Sequence, residues 1–240
     1  MSPTPNLPDP AWSPLYRSGG VCLFATGVFY FAAIVLAMLL GQPPADAEPY
    51  LRSLATHPGL AFANYAGFAI VDLLLVPATL ALYFSLRHLA RSAVLVGTGL
   101  VVFWIIVDLA VTEFNSLTLV LLSRHPDPAS IAAARFPLAT MPIATFFSFV
   151  VSSAGTLILS IVMLKGVFHK VTAFAGIVAC VEGILGGFFV VYPPLAVLLI
   201  PCMVAYGLWG VLAGAQLWRL GTTAGTPAAR TPAPPAASAA

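Results

Sequence analysis

Apolar residues in this chain come in long blocks that short polar segments separate. Six blocks have the length and composition of membrane-spanning helices, and they cover residues 17–40, 60–86, 92–123, 139–164, 171–192 and 195–218. Each block has at least the about 20 residues that an α-helix needs to cross roughly 30 Å of hydrocarbon. The pattern therefore predicts an all-α fold, a polytopic transmembrane helical bundle with six spans.

The segments outside these blocks differ from them in composition. Residues 1–15 contain five prolines and no lysine or arginine, so we expect a disordered, Pro-rich leader there. Residues 221–240 are rich in alanine, proline and threonine, which predicts a disordered tail. The transmembrane domain is then expected to occupy residues 16–220, with short surface helices over residues 47–55 and 129–135 in the two longer loops.

Composition agrees with a membrane protein. The chain has 240 residues, of which 60% are hydrophobic and 8% are charged, whereas soluble domains carry about 25% charged residues. A water-soluble fold of this size could not cover its surface with so few charges. The formal net charge of +2 is too small to indicate nucleic acid as a partner, and the partner that the sequence predicts is the lipid bilayer.

Lysine and arginine are distributed unevenly over the loops. Seven of them lie in the N-terminal flank, in the short loops after the second and fourth spans, and in the tail: Arg17, Arg87, Arg91, Lys165, Lys170, Arg219 and Arg230. The two longer loops hold three, partly offset by acidic residues. Because basic loops stay on the cytoplasmic side of a membrane, we expect a cytoplasmic (inner) membrane protein with both termini inside.

Four acidic residues lie within the predicted spans, and no basic residue lies deep in any of them: Asp72, Asp108, Glu113 and Glu182. Counting at about 1.5 Å per residue from the cytoplasmic ends places three of them in one layer near the middle of the bilayer. The fourth, Glu113, is expected near the outer interface. A short loop joins the second and third spans, so Asp72 and Asp108 are the expected pair.

Carboxyl groups in one low-dielectric layer cannot all be ionised unless a cation is present. The neutralising group would be a proton, a metal ion or an amine-bearing ligand, and an aromatic ring beside a carboxylate suits an organic cation. Polar and aromatic residues do flank the acids on their helical faces. We therefore predict a ligand- or proton-binding site that consists of Asp72, Asp108, Glu113, Glu182, Tyr65, Trp104, Thr112 and Asn115.

Other periodic patterns favour interhelical packing. Hydroxyl residues form a stripe on the fourth span, which we interpret chiefly as packing: Thr145, Ser148, Ser152 and Thr156. Small residues recur every four positions in the fifth and sixth spans and allow close approach of backbones: Ala175, Ala179, Gly183, Gly187, Gly210 and Gly214.

The chain has no GxSxG, HExxH, Walker or Rossmann motif in context, and we predict no catalytic residue and no cofactor. The cysteines, Cys22, Cys180 and Cys202, form no CxxC pair and are interpreted as buried free thiols. His57 and His125 lie in the longer loops without the spacing of metal ligands, so they are interpreted as turn residues and no metal is predicted.

Three stretches are similar to a known group of proteins: YLRSLATHPGLA leading into the second span, DLLLVPATLALYFSLR through its end, and DPASIAAARFPLA between the third and fourth spans. Together with the order of the spans, they resemble a bacterial family of integral membrane proteins that carry a domain of unknown function. The resemblance covers roughly residues 17–220. It implies a six-span fold and a membrane location, but no activity and no catalytic residues.

Three functions remain open. The first is binding or transport of a small, lipophilic, cationic or lipid-like ligand through the intramembrane carboxylates. The second is a non-catalytic accessory or scaffold subunit of a larger membrane complex, in which the small-residue stripes would contact a partner membrane subunit or a second copy in a homo-oligomer. The third is an intramembrane lipid-modifying enzyme with paired carboxyls as acid and base. We rank the third last, because no nucleophile or metal site is identified.

Overall fold

The computed structural model of the chain describes residues 9–41, 44 and 46–224. Within these residues, six segments are long and apolar enough to cross a membrane: Pro10–Leu40, Pro58–Leu86, Arg91–Leu122, Pro128–Met163, Lys170–Val190 and Pro193–Thr223. Their most apolar windows have a mean hydropathy of 2.0 to 2.5. The predicted all-α, six-span membrane bundle is confirmed.

The spans are built from eight α-helices and the segments that join them in the described part of the chain. The helices are α1 Ser13–Leu40, α2 Ala47–Thr56, α3 Pro58–Leu86, α4 Arg91–Val107, α5 Phe114–Leu122, α6 Pro128–Met163, α7 Lys170–Gly187 and α8 Leu199–Ala224. A π-helical segment, Asp108–Glu113, joins α4 to α5 within one span. Short 3-10 turns complete the spans at Pro10–Trp12, Phe188–Val190 and Pro193–Leu198.

Helical structure extends into both segments that we expected to be disordered. Residues 1–8 and 225–240 lie outside the described residues, but α1 already begins at Ser13 and α8 extends beyond the predicted end of the last span. Trp12 precedes α1 and stacks on Phe84 of α3 with ring centroids 3.7 Å apart. Proline is compatible with the first turn of a helix, so the proline content of this segment did not exclude helical structure.

The surface helix predicted over residues 129–135 is the first part of α6, which starts at Pro128 and runs through Pro137 without a break. Asp127 caps the helix, because its carboxylate accepts from the backbone N–H of Ser130 at 2.7 Å. The same hydrogen bond lowers the pKa of Asp127 below its ordinary value. The loop and the fourth span therefore form one long helix.

The six spans close into a ring in which each one packs against two neighbours. In order around the ring, α1 packs on α3, α3 on α4, α4 on α6, α6 on α7, α7 on α8, and α8 on α1. The contact between the first and the last span is the most extensive of these. Residues far apart in the sequence can therefore face one common interior.

Glycine residues allow α1 and α8 to approach at backbone distance. A Cβ atom added at Gly27 would lie 2.5 Å from a backbone nitrogen of α8, and one at Gly20 would lie 2.6 Å from another. Conversely, a Cβ atom at Gly210 or Gly214 would meet the backbone of α1 at 2.9 or 2.5 Å. The predicted packing role of the sixth-span glycines is confirmed, and their partner is α1 of the same chain.

The small residues of α7 fit between α6 and α8. A Cβ atom at Gly183 would lie 2.3 Å from the Ser153 hydroxyl oxygen of α6 and 3.2 Å from the Cys202 sulfur of α8. The cysteines are free thiols, as predicted, but only Cys180 and Cys202 are buried, whereas Cys22 is half-buried. Cys22 lies on α1, part of whose surface stays exposed on the outside of the ring.

Candidate functional site

A cavity of about 240 Å³ lies inside the ring of spans. All spans except α7 contribute to its wall among the described residues. The polar part of the wall consists of Thr26, Asp72, Thr79, Asp108, Thr112, Glu113, Ser116, Thr145, Ser148, Ser152 and Thr156, and the aromatic part of Tyr30, Tyr65, Phe68, Trp104, Phe149, Tyr206 and Trp209. The volume is slightly below the roughly 300–1,000 Å³ of sites for drug-sized ligands, so the cavity suits a smaller molecule.

Three carboxyl groups meet in the wall of this cavity. Asp72, Asp108 and Glu113 are only 3%, 8% and 5% exposed. As the short loop between their spans predicted, Asp72 and Asp108 are hydrogen-bonding neighbours, and Glu113 lies within electrostatic range of both. Carboxyl groups this close together and this well shielded from water are not all ionised without a compensating positive charge.

Asp108 has a further hydrogen-bond donor on the neighbouring span. The hydroxyl group of Ser148, on α6, donates to its Oδ1 atom. No lysine, arginine or histidine among the described residues lines the cavity. The protein itself thus supplies neutral donors to the acids but no compensating positive charge.

The π-helical segment explains why Glu113 joins the two aspartates. In a regular α-helix, residues five apart point in directions about 140° apart, and Glu113 would leave the face of Asp108. The i→i+5 turn of a π-helix instead places such residues close to one face, and both acids lie in this segment. Counting along a regular helix had placed Glu113 further towards the outer interface, and the π-helical segment brings this predicted site residue into the cavity wall beside Asp108.

Several buried polar atoms in the wall have no hydrogen-bond partner in the part of the chain that the structure describes. They include Oδ2 of Asp72, Oε2 of Glu113, Oγ1 of Thr112 and Nε1 of Trp104. Leaving a buried polar group unsatisfied costs about 1–3 kcal/mol, and such groups in native proteins usually bind water, an ion or a ligand. The unpartnered carboxyl oxygens are acceptors, and they belong to residues that line the cavity.

Two tyrosines that we had not predicted also line the cavity. Tyr30, on α1, lies within electrostatic range of all three carboxyl groups. Its ring centroid is 6.1 Å from that of Tyr206, on α8, whose hydroxyl donates to Ser153 at 3.2 Å. One signal was present in the sequence: Thr26 and Tyr30, four residues apart, share one face of an otherwise apolar part of α1.

The predicted residues of the second and third spans do not all reach the cavity. Tyr65, Trp104 and Thr112 line it together with the acids. Asn115 does not, and its side-chain amide instead donates to Thr140 of α6 at 3.4 Å. The π-helical segment precedes Asn115 and changes the direction in which the following residues point, so its predicted place on the face of Asp108 was wrong.

Glu182 also lies outside the cavity. It belongs to α7, which packs on α6 and α8 and contributes no described residue to the wall. Cys202 of α8, which belongs to the wall, lies within electrostatic range of Glu182. Counting residues along the spans predicted a depth for Glu182 close to that of the aspartates. The order of the helices around the ring, however, places Glu182 on a helix that does not line the cavity.

The hydroxyl stripe on α6 lines the cavity, and one of its members, Ser148, also forms the interhelical hydrogen bond to Asp108. Thr145, Ser148, Ser152 and Thr156 all belong to the wall. Ser152 satisfies its own hydroxyl by donating to the backbone carbonyl of Ser148 at 2.5 Å. The stripe forms the polar side of the cavity that faces α3 and α4.

The amphipathic helix α2 is connected to the cavity through one hydrogen bond. Its buried face, Tyr50, Leu51 and Leu54, packs against residues of α3, α5 and α6. The hydroxyl oxygens of Tyr50 and Tyr65 are 3.1 Å apart, and Tyr65 lines the cavity. Burial, followed by the neighbouring Tyr65, raises the pKa of Tyr50 above its ordinary value, so this phenol stays a neutral hydrogen-bonding group.

Replacing Tyr50 by phenylalanine should lower the free energy of unfolding by about 1 kcal/mol, because one partly buried hydrogen bond is lost. Denaturation of the purified protein in mixed micelles would measure the change. Tyr192→Phe is the matched control, since Tyr192 is 60% exposed. Equal stability of the two variants would show that the Tyr50–Tyr65 contact does not hold α2 in place.

The three carboxyl groups are not arranged as a metal site. The described residues contain no group of three or more histidine, cysteine, aspartate or glutamate side chains placed to hold a metal ion. The similarity to a bacterial membrane-protein family stays a prediction. No protein-family model, no curated protein and no solved structure matches the chain.

Proposed function

We propose that this membrane protein binds a small lipophilic cation in its central cavity and exchanges it for a proton. The observation that carries the proposal is the meeting of three buried carboxyl groups, without a basic residue, in one cavity. Ionised carboxyls in such surroundings need a positive partner. A proton fills this role when the ligand is absent, and the ligand cation fills it when bound.

The rest of the wall supports a lipophilic cation over a hydrated ion. Trp104, Tyr30 and Tyr206 line the cavity with the acids, and aromatic faces attract organic cations through cation–π interaction. Leu75, Leu82 and other aliphatic residues complete the wall. A ligand with a charged head and an apolar body would satisfy both kinds of surface.

The location is part of the same proposal. The uneven distribution of lysine and arginine supports the cytoplasmic (inner) membrane with both termini inside. With that orientation, a cation that enters from either side would meet the acids within the membrane. Transport would then be the exchange of one bound proton for one cation at the Asp72–Asp108 pair.

The alternative of an accessory or scaffold subunit has less support from the geometry. The glycines that would serve a partner helix are used within the chain, where α1 contacts α8 and α7 contacts both α6 and α8. Native mass spectrometry of the gently purified protein separates the two proposals. A partner subunit at fixed stoichiometry would favour the accessory role, whereas a bound amine would favour the binding site.

The pH dependence of binding tests the exchange directly. The probe is 3-phenylpropylamine, which is a cation at neutral pH, titrated calorimetrically into the full chain in micelles. If each cation displaces one proton, its affinity should fall about tenfold per pH unit as the pH is lowered through the range in which the free site is protonated. Comparison of the binding heat in buffers of different ionisation enthalpy counts the protons released.

A matched pair of variants assigns that proton. In Asp72→Asn the amide can donate to Asp108 without a shared proton, so binding should persist to lower pH than in the natural chain. Glu182→Gln removes a carboxyl group that does not line the cavity, and its pH profile should be unchanged. Absence of binding, or binding that does not depend on pH in the natural chain, would refute the exchange.

A further inference from the structure

We infer that the cavity selects primary and secondary ammonium ions over tertiary and quaternary ones of the same size. The inference rests on the proposed function and adds the chemical class of the ligand head group. Its basis is a pair of buried carboxyl oxygens, Oδ2 of Asp72 and Oε2 of Glu113, which belong to residues of the cavity wall and have no hydrogen-bond partner among the described residues.

Both oxygens need a hydrogen-bond donor as well as a positive charge. The side chains that carry them are 97% and 95% buried, since Asp72 is 3% and Glu113 5% exposed, so bulk water does not satisfy them. Asp108 already accepts from Ser148, and the two unpartnered oxygens belong to the other two acids. A head group with at least two N–H bonds has one donor for each of them.

The number of N–H bonds ranks the possible head groups. A primary ammonium ion has three, a secondary ion two, a tertiary ion one and a quaternary ion none. Primary and secondary ions can therefore bond both oxygens, a tertiary ion leaves one unpartnered, and a quaternary ion leaves two. All four carry the same charge, so charge pairing and cation–π attraction do not separate them to first order.

The distribution of polar residues indicates a single charged head. The three acids are gathered at one place, on α3 and the π-helical segment, and the structure has no second acidic group in the cavity wall among the described residues. Aliphatic side chains such as Leu23, Leu82 and Leu159 line other parts of it. The ligand class is thus a monoamine with an apolar body.

The test uses 3-phenylpropylamine and its N-methyl, N,N-dimethyl and N,N,N-trimethyl derivatives, titrated into the full chain in micelles at neutral pH. We expect the first two to bind within about threefold of each other. The dimethyl compound should bind about tenfold more weakly, and the trimethyl compound about tenfold more weakly again. The loss of affinity between the N-methyl and the N,N-dimethyl compound is the result specific to this inference.

Two variants exclude other causes of that loss of affinity. In Glu113→Met one of the two acceptors is replaced by an apolar group of similar size, so the step between the secondary and tertiary amines should disappear. In Glu182→Gln the four affinities should keep their order, because that residue is outside the cavity wall. A step that persists in Glu113→Met would come from the bulk of the methyl groups and would overturn the inference.

The remaining outcomes distinguish this inference from the proposed function. If the trimethyl compound binds as tightly as the primary amine, and Asp72→Asn still alters the pH dependence of binding, the proposed cation site is supported. The selection for N–H donors is then refuted. If none of the four compounds binds, the proposed function and this inference are both refuted.

Discussion

Replacing Asp108 by asparagine is expected to weaken the binding of 3-phenylpropylamine by at least about thirtyfold, which corresponds to about 2 kcal/mol. Asp108 is the acid that the others surround: it is a hydrogen-bonding neighbour of Asp72, lies within electrostatic range of Glu113 and accepts from Ser148. Removing one partner of a desolvated charge pair leaves the other without compensation, and such truncations cost about 2–5 kcal/mol.

The asparagine keeps the shape of the side chain and its hydrogen bonds, so the variant tests charge and not volume. Calorimetric titration at a pH where the natural chain binds well measures the loss. Glu182→Gln is the matched control, because it also removes one intramembrane carboxyl group but at a position outside the cavity wall. Equal affinities of the two variants would show that the cavity acids do not hold the cation.

Gly27→Ala is expected to lower the free energy of unfolding by about 3 kcal/mol, at the upper end of the range for overpacked interiors. The added Cβ atom would lie 2.5 Å from the backbone nitrogen of Val211 and 2.6 Å from the carbonyl oxygen of Gly207. Backbone atoms cannot rotate away as a side chain can. The contact between α1 and α8, which closes the ring, must therefore open.

Gly99→Ala provides the control for this prediction, since a Cβ atom at Gly99 meets nothing within 4 Å. Alanine is favoured over glycine inside a helix by about 1 kcal/mol, so this variant should be as stable as the natural chain or slightly more stable. Unfolding in mixed micelles compares the two. Similar midpoints for Gly27→Ala and Gly99→Ala would contradict the close approach of the first and last spans.

The same variants link stability to the site. Thr26 and Tyr30 lie in the cavity wall on either side of Gly27 along α1. If the added methyl group moves α1 outward, Tyr30 moves away from the carboxyl groups. Part of any loss of binding affinity in Gly27→Ala would then come from the displacement of Tyr30 and not from a change in the carboxyl groups.

Much of the site was predictable where local geometry decides it. Asp72 and Asp108 lie on neighbouring spans joined by a short loop, so their approach follows from chain connectivity and depth. Trp104 and Thr112 lie four residues before and after Asp108 and also line the cavity. These expectations need only helical periodicity and the length of a span.

Other parts of the site depend on features that helical periodicity does not describe. Glu113 enters the cavity because the π-helical segment shifts its direction, whereas Asn115, just beyond that segment, bonds Thr140 instead. The hydrogen bonding of a π-helix is a local departure from the regular helix. Residues 108–113 contain both acids of the span, but no glycine or proline that would indicate an irregular helix.

By itself, the amino-acid sequence determined that the chain crosses a membrane six times and carries acids within its spans, because bilayer thickness dictates the length of an apolar block. Only the tertiary structure decided which face of each helix lines the cavity. Glu182 lies outside the cavity wall because it belongs to α7, which contributes no described residue to the wall. Tyr30 lies in the wall because the close contact of α1 with α8 closes the ring. That order arises from backbone contacts between residues nearly two hundred positions apart, and such contacts have no signature in the periodicity of any single helix.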